Sequence, residues 1–283
     1  MNRVAVRLAL FSVVLAVVFG AAAAIGAVVK PSRPTASSHT GPMQDMAGSA
    51  LGLGVADDRY TLIPATFAPT TAGQPTVLRF RVADRQGRVV REGFEIEAQR
   101  TLHLIIVRRD LRGYQHLHPI ESRDGTWSVT AVLPDPGVYR VFADFQIDGR
   151  KHVLAADVTA PGSYAPAPLP RETPTATVDG YEVRLTTAPP EAGHEANLEF
   201  TVSHGGRAVA ALQPYLGARG HLVALRQGDL AYLHVHPHDG SKAVGVVPFA
   251  ATFPSAGTYR LFLQFQTEGT VHTTSFTLQV TPK

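Results

Sequence analysis

The sequence contains no cysteine. This absence excludes disulfide cross-links and metal sites built on thiolates, and it also excludes a cysteine nucleophile. No thiol is present for lipid attachment. Each domain must therefore be stabilised by its own core, which a domain of about 100 residues can achieve.

Signatures of catalysis are also missing. The chain has no GxSxG elbow, no HExxH helix, no phosphate-binding glycine loop and no dinucleotide fingerprint. The carboxylates Asp135, Asp144 and Asp148 are scattered and form no pair suited to general acid–base work. These absences favour a protein that is not an enzyme.

Acidic residues are absent from the first 33 positions, where four basic residues lie. The whole chain carries a net charge of +3, so the rest of it carries +3 − 4 = −1. The excess of positive charge therefore belongs to the N-terminal region. This distribution predicts no binding of nucleic acid.

The N-terminal region contains a long uncharged run. Residues 8–29 carry no charge and follow Arg3 and Arg7. A membrane-spanning helix needs about 20 such residues, whereas the apolar part of a cleaved signal peptide has about 7–15. We therefore expect residues 1–30 to form a membrane anchor, with cleavage after the alanines at 21–24 as the alternative. The membrane is then a partner of the protein through the N-terminal helix. The protein is located at the cell membrane with one span and extracytoplasmic C-terminal domains, or is secreted if the leader is removed.

The remainder is an internal repeat. TAGQPTVLRFRV matches EAGHEANLEFTV, and LHLIIVRRDLRGYQHLHP matches GHLVALRQGDLAYLHVHP. PDPGVYRVFADFQIDGRKH matches PSAGTYRLFLQFQTEGTVH, and every match has an offset of 118 to 120 residues. The prediction is a flexible stalk at residues 31–56 and two domains at residues 57–160 and 175–283. A Pro-rich linker at residues 161–174 joins the two domains.

Each copy has the pattern of a β-sandwich. Apolar residues alternate or form short β-branched and aromatic runs, and Gly and Pro interrupt them every 8–12 residues or so. No sustained helical period occurs after residue 30. The PxxGxYR segments place Tyr139 and Tyr259 where a tyrosine corner lies in immunoglobulin-like domains. We therefore predict an all-β protein with two tandem immunoglobulin-like (Ig-like) β-sandwiches after the N-terminal helix.

Eight of the 12 histidines form two matched sets. A His-x-His pair on a strand puts both imidazoles on one face, about 6.5–7 Å apart. A turn near residues 110–113 would place His103 opposite His118, and a turn at Asp148–Gly149 would start the last strand near His152. Imidazoles without thiolate suit a copper or zinc ion. The predicted metal ligands are His103, His116, His118 and His152 in one copy, and His221, His234, His236 and His272 in the other.

This hypothesis has one extension and one competitor. Asp110 and Asp229 are candidate outer partners of the metal ligands. In the competing interpretation, the histidines are architectural groups that hydrogen-bond main-chain oxygens or pack beside aromatic rings. The protein is then a structural or interaction module of the cell envelope with an envelope protein as partner.

A family resemblance bears on the choice. The segments HLIIVRRDLRGYQHLHP and HLVALRQGDLAYLHVHP, each followed by PxxGxYRxF, resemble bacterial secreted or membrane-anchored proteins with an HLHP motif. They are distantly similar to YtkA-like and CopC-like copper-handling proteins. The resemblance implies an Ig-like sandwich, a cell-envelope location and the handling of a heavy metal. The chain lacks the N-terminal histidine of a CopC-type site.

Overall fold

A computed structural model describes residues 52–237 and 243–283. The predicted anchor at residues 1–30 and the stalk up to residue 51 lie outside the described residues. The described part consists of 18 β-strands, arranged as two sandwiches that repeat the same topology. In these two ranges, no helix is long and apolar enough to cross a membrane.

The first sandwich contains eight strands in two sheets. One sheet has the order β1-β2-β6-β5, and the other has the order β4-β3-β7-β8. This arrangement matches the A-B-E-D and C′-C-F-G sheets of an immunoglobulin-like domain. The strands are β1 (Tyr60–Thr66), β2 (Pro75–Asp84), β3 (His103–Arg108), β4 (Gln115–Leu117), β5 (Ile120–Glu121), β6 (Trp127–Val132), β7 (Gly137–Ile147) and β8 (Arg150–Ala160).

The second sandwich repeats these elements with one extra strand at its start and one short strand beside β11. Its sheets have the orders β15-β16-β11-β10-β9, with β12 on β11, and β14-β13-β17-β18. The strands are β9 (Thr175–Val178), β10 (Tyr181–Thr186), β11 (Glu195–His204), β12 (Arg207–Ala208), β13 (His221–Arg226), β14 (Tyr232–His234), β15 (His236–Pro237), β16 (Val246–Thr252), β17 (Gly257–Thr267) and β18 (Thr270–Val280). The prediction of tandem β-sandwiches is confirmed.

Two local features confirm the sequence interpretation of each sandwich. Tyr139 donates to the carbonyl of Asp135 over 2.8 Å, and Tyr259 donates to that of Ser255 over 2.9 Å. These are the tyrosine corners at the start of strand F. The β7–β8 hairpin turns at Asp148 and Gly149, both with positive φ, as its two-residue turn requires.

The strands β3 and β13 are buried on both faces. In β3, Leu104 and Ile106 point into the core of the first sandwich. The alternate residues Ile105 and Val107 point the other way and pack in a separate cluster with the second sandwich. This inter-sandwich cluster contains Leu111, Phe142, Ala155, Val223, Leu225, Leu230, Tyr232 and Phe262. The two C′-C-F-G sheets therefore cover each other, and a strand with no solvent face is apolar throughout.

The segments that flank the first sandwich pack against it. The carbonyls of Gly52 and Leu53 accept hydrogen bonds from Arg140, and the carbonyl of Gly54 accepts one from the backbone of Ala155. The first sandwich thus extends back to residue 52. In the linker at 161–174, Leu169 packs on the inter-sandwich cluster.

Candidate metal centre

Strand register brings three imidazoles of the first sandwich onto one face. Leu104 pairs with Leu117 and Ile105 pairs with His116, so the register continues to His103 opposite His118, as predicted. Facing partners in a sheet point to the same side, and the side alternates along each strand. His103, His116 and His118 therefore lie on the face that meets the second sandwich.

The three rings are close together. Nδ1 of His103 lies 2.9 Å from Nε2 of His116. The His118 ring centroid lies 5.2 Å from that of His103 and 4.8 Å from that of His116. One ring nitrogen from each residue can be chosen so that all three atoms lie within 4.8 Å of one another. Among the residues that the structure describes, His103, His116 and His118 thus form a group of three potential ligands that could hold a metal ion.

The outer nitrogens of two rings face hydrogen-bond acceptors. Nε2 of His103 lies 3.0 Å from the carbonyl oxygen of Glu97, and Nδ1 of His116 lies 2.7 Å from Oε1 of Gln264. A neutral imidazole carries one proton, and each ring donates its N–H to one of these acceptors. The inner nitrogens, Nδ1 of His103 and Nε2 of His116, then present lone pairs to the same point. A ring whose outer N–H is fixed by a carbonyl oxygen is the usual state of a metal-bound histidine.

The third ring has a nitrogen suited to the same ion. Nε2 of His118 is buried and has no hydrogen-bond partner among the described residues. A buried polar nitrogen without a partner costs about 1–3 kcal/mol, and coordination of a cation would remove that cost. Ligands of a tetrahedral zinc ion lie about 3.3 Å apart, because each Zn–N bond is about 2.0–2.1 Å long.

Burial at the site keeps two of the imidazoles neutral. Burial, together with the nearby His103 ring, lowers the pKa of His116 to about 3. Burial, together with the nearby His103 ring and the Arg100 charge, lowers the pKa of His118 to about 4. Both rings are therefore unprotonated at neutral pH, which is the form that binds a metal.

The second sandwich contributes to the same place. The His221 ring stacks on His116 with a centroid distance of 4.6 Å and lies 5.7 Å from His103. His234 pairs with Val223 in the β13–β14 register, as His116 pairs with Ile105. The side chains of His234 and His236 lie outside the described residues. We expected one cluster within each sandwich, but the described rings meet between the sandwiches, because the two sheets that carry them face each other.

The structure does not bring His152 and His272 to this centre. His103 faces Asp144, whereas His152 faces the next residue along β7, Phe145, so the two histidines point to opposite sides of the sheet. Nδ1 of His152 lies 2.6 Å from Oδ2 of Asp57, inside the first sandwich. His272 repeats the arrangement in the second sandwich, facing Phe265 and bonding Asp179 over 2.8 Å.

The predicted outer carboxylates are also occupied elsewhere. Asp110 pairs with Arg108 through two bonds of 2.8 Å. Asp229 pairs with Arg226 in the equivalent position. Their role as outer partners of the metal ligands was therefore a wrong prediction, because the β3–β4 and β13–β14 turns each point the carboxylate at the arginine that ends the preceding strand.

Gln264 was missed by the sequence analysis. It lies on β17 of the second sandwich, is 5% exposed, and contacts His116 of the first sandwich. One signal was present in the sequence. Gln264 is a polar residue between Leu263 and Phe265, and its counterpart in the first copy is the polar Asp144, between Ala143 and Phe145. A polar position shared by two otherwise apolar strands indicates a buried polar role.

Comparisons with solved structures give low similarity scores. A DUF4426 family protein from Pseudomonas aeruginosa matches with a TM-score of 0.31 and 9% identity, over 38% of this chain and 97% of that chain. The adhesin FdeC of Escherichia coli matches with a TM-score of 0.27 and 15% identity, over 78% of this chain and 63% of that one. InvD of Yersinia pseudotuberculosis matches with a TM-score of 0.27 and 12% identity, over 79% of this chain and 58% of that one. The chain thus spans about three fifths of the length of the FdeC and InvD structures.

Sequence comparison identifies the family. No curated protein matches the chain. The family model that matches is neither the YtkA-like nor the CopC-like one, so that resemblance stays a prediction. The matching family model is described as a domain of unknown function (DUF8832), and it matches twice, over residues 55–162 and 176–282. The chain, with a copy of this domain in each sandwich, belongs to the DUF8832 family.

Proposed function

We propose that the protein is a non-enzymatic metal-binding protein of the cell envelope, with one Zn²⁺ or Cu²⁺ ion held between its two sandwiches. The proposed ligands are His103, His116 and His118. The observation that carries the proposal is the placement of one hydrogen-bond acceptor beside the outer nitrogen of each of the first two rings. Their outer nitrogens face acceptors at Glu97 and Gln264, so their inner nitrogens, 2.9 Å apart, direct lone pairs at one point.

The surroundings support a binding role. His103 is 3% exposed, and the inter-sandwich apolar cluster begins two residues along β3 at Ile105. An apolar shell limits the access of water to an ion and strengthens its bonds to the ligands. An ion buried in this way is retained by the protein, which suits a role in holding or sheltering the metal.

The competing candidate is a structural or interaction module in which the histidines are architectural. Two pairs favour it: His152 with Asp57, and His272 with Asp179. Both support the interior of a sandwich away from the proposed centre. In this candidate function, His103, His116 and Gln264 form one more polar network, whose purpose is to fix the two sandwiches to each other.

Metal uptake by the purified full chain in detergent micelles separates the two candidates. We expect equilibrium dialysis to show uptake of one Zn²⁺ or Cu²⁺ ion per chain at the described centre. His118→Ala is the most informative variant because Nε2 of His118 has no hydrogen bond to lose within the described residues. It should weaken binding at least tenfold, whereas His194→Ala, at an exposed position, should bind like wild type. Absence of uptake by wild type would favour the architectural candidate.

The envelope location is part of the proposal. The uncharged run at residues 8–29 behind two arginines supports a single membrane span with both sandwiches outside the cytoplasm. A fusion of the C-terminus to a phosphatase that is active only after export should show activity. An inactive but intact fusion would contradict the location, and with it an envelope protein partner.

A further inference from the structure

Gln264 connects the proposed centre to the second sandwich. It is the residue that accepts the outer proton of His116, and it reaches across from β17 while its amide nitrogen donates to Thr273 over 3.2 Å. In this arrangement, Oε1 of Gln264 is directed at His116. One of the three proposed ligands is thus oriented by a side chain that belongs to the other copy of the domain.

We propose that Gln264 is a positioning residue that makes the ion site complete only when the two sandwiches are docked. This inference rests on the proposed metal binding. Without an acceptor at Gln264, the His116 ring can place its proton on either nitrogen and can rotate about its side-chain bonds. With the acceptor in place, Nε2 of His116 carries the lone pair and points at Nδ1 of His103.

Ion binding and the docking of the two sandwiches are then linked thermodynamically. If docking raises the affinity for the ion by some factor, the ion must strengthen docking by the same factor. A second contact acts in the same direction, because the His221 ring stacks on the His116 ring from the second sandwich. Ion binding would therefore tighten the contact between the two sandwiches.

The test compares zinc affinities of full-chain variants in detergent micelles, measured by titration calorimetry with Zn²⁺ alone. Gln264→Met keeps the length of the side chain and removes the acceptor, so we expect affinity to fall about 10- to 100-fold, as for other outer partners of metal ligands. Gln264→Glu keeps an acceptor and should bind zinc at least as tightly as wild type. Gln266→Met makes the same change two residues further along β17 and serves as the matched control, with wild-type affinity expected.

The outcomes separate this inference from the proposed function. No zinc binding by wild type would overturn both. Zinc binding by wild type with an unchanged affinity in Gln264→Met would overturn only the positioning role. If Gln264→Met does not fold, Gln264→Glu decides alone: wild-type or tighter binding supports the role, and a loss of more than tenfold contradicts it, because a carboxylate can accept the proton of His116 but cannot donate one.

Discussion

Nδ1 of His116 lies 2.7 Å from Oε1 of Gln264, although the two residues are 148 positions apart and belong to different sandwiches. The contact shows that the repeated domains share a buried polar centre. A hydrogen bond between buried groups is costly to break, because the remaining polar group stays buried without a partner. Four of the histidines kept in both copies, His103, His116, His118 and His221, thus lie where the copies meet.

Tyr114 gives a test of the interface without any metal. Its ring stacks on Phe262 of the second sandwich at a centroid distance of 4.1 Å, but its hydroxyl is buried and has no hydrogen-bond partner among the described residues. Tyr114→Phe keeps the stacking and removes the unsatisfied group. We expect the free energy of unfolding to stay equal or to rise by up to about 2 kcal/mol, as measured by urea unfolding. A clear loss of stability would show that the hydroxyl has a partner and would contradict this description of the interface.

His152 and His272 should behave as structural residues. The His152 and Asp57 side chains are each 2% exposed, so His152→Ala leaves a cavity and a buried carboxylate without its partner. We expect a loss of about 3 kcal/mol or more in unfolding free energy. His272→Ala should cost less, because its partner Asp179 is 62% exposed and can be hydrated. Neither change should alter zinc uptake, and a loss of uptake by folded His152→Ala would place this ring in the metal site after all.

The tyrosine corners give a matched pair of variants. Tyr259→Phe removes the bond donated to the carbonyl of Ser255 and the contact with Oγ of Ser255 over 3.3 Å, so we expect a loss of about 1–2 kcal/mol. Tyr139→Phe removes the bond donated to the Asp135 carbonyl and also the one accepted from the Asp135 backbone, so the expected loss is about 1–2 kcal/mol. Chemical denaturation of the two variants measures both values. Negligible losses in both variants would show that the corner hydroxyls do not stabilise the sandwiches.

Acid should weaken the pair formed by Arg226 and Asp229. The hydrogen bond from the Arg226 guanidinium outweighs partial burial and holds the pKa of Asp229 below its usual value. The unfolded chain takes up this proton near pH 4, and the folded carboxylate takes it up only at lower pH. The stabilisation is therefore present above about pH 4 and is lost as the pH falls through the folded pKa.

The variant Asp229→Asn measures this contribution. Wild type should be more resistant to urea than the variant at pH 7, and the difference between their midpoints should shrink at pH 3. The amide keeps an oxygen for the backbone of Ala231, which the carboxylate contacts over 3.1 Å. A difference that is the same at both pH values would show that the ion pair does not contribute.

The sequence was sufficient for the fold of each sandwich. Alternation, turn residues and the repeat predict the strands, the tyrosine corners and the position of His103 opposite His118. The strand register also shows why the prediction of His152 as a ligand at this centre was wrong. A two-residue turn at Asp148 and Gly149 places His152 opposite Phe145, hence on the core side, whereas His103 shares its side with Asp144.

The location of the centre could not be predicted in the same way. The apolar face of Ile105 and Val107 indicates that something covers β3, but not that the equivalent sheet of the other copy does so. Contacts across that surface depend on how two finished sandwiches dock. Gln264 is therefore recognisable as a buried polar residue, but its bond to His116 becomes visible only in three dimensions.

The most direct test of the central claim is a crystal structure of the zinc-loaded protein with diffraction data collected on both sides of the zinc absorption edge. We predict an anomalous peak between the two sandwiches, about 2.0–2.1 Å from one nitrogen each of His103, His116 and His118. A zinc peak found only elsewhere on the protein would contradict the account. So would three rings that keep their protein hydrogen bonds with no peak between them.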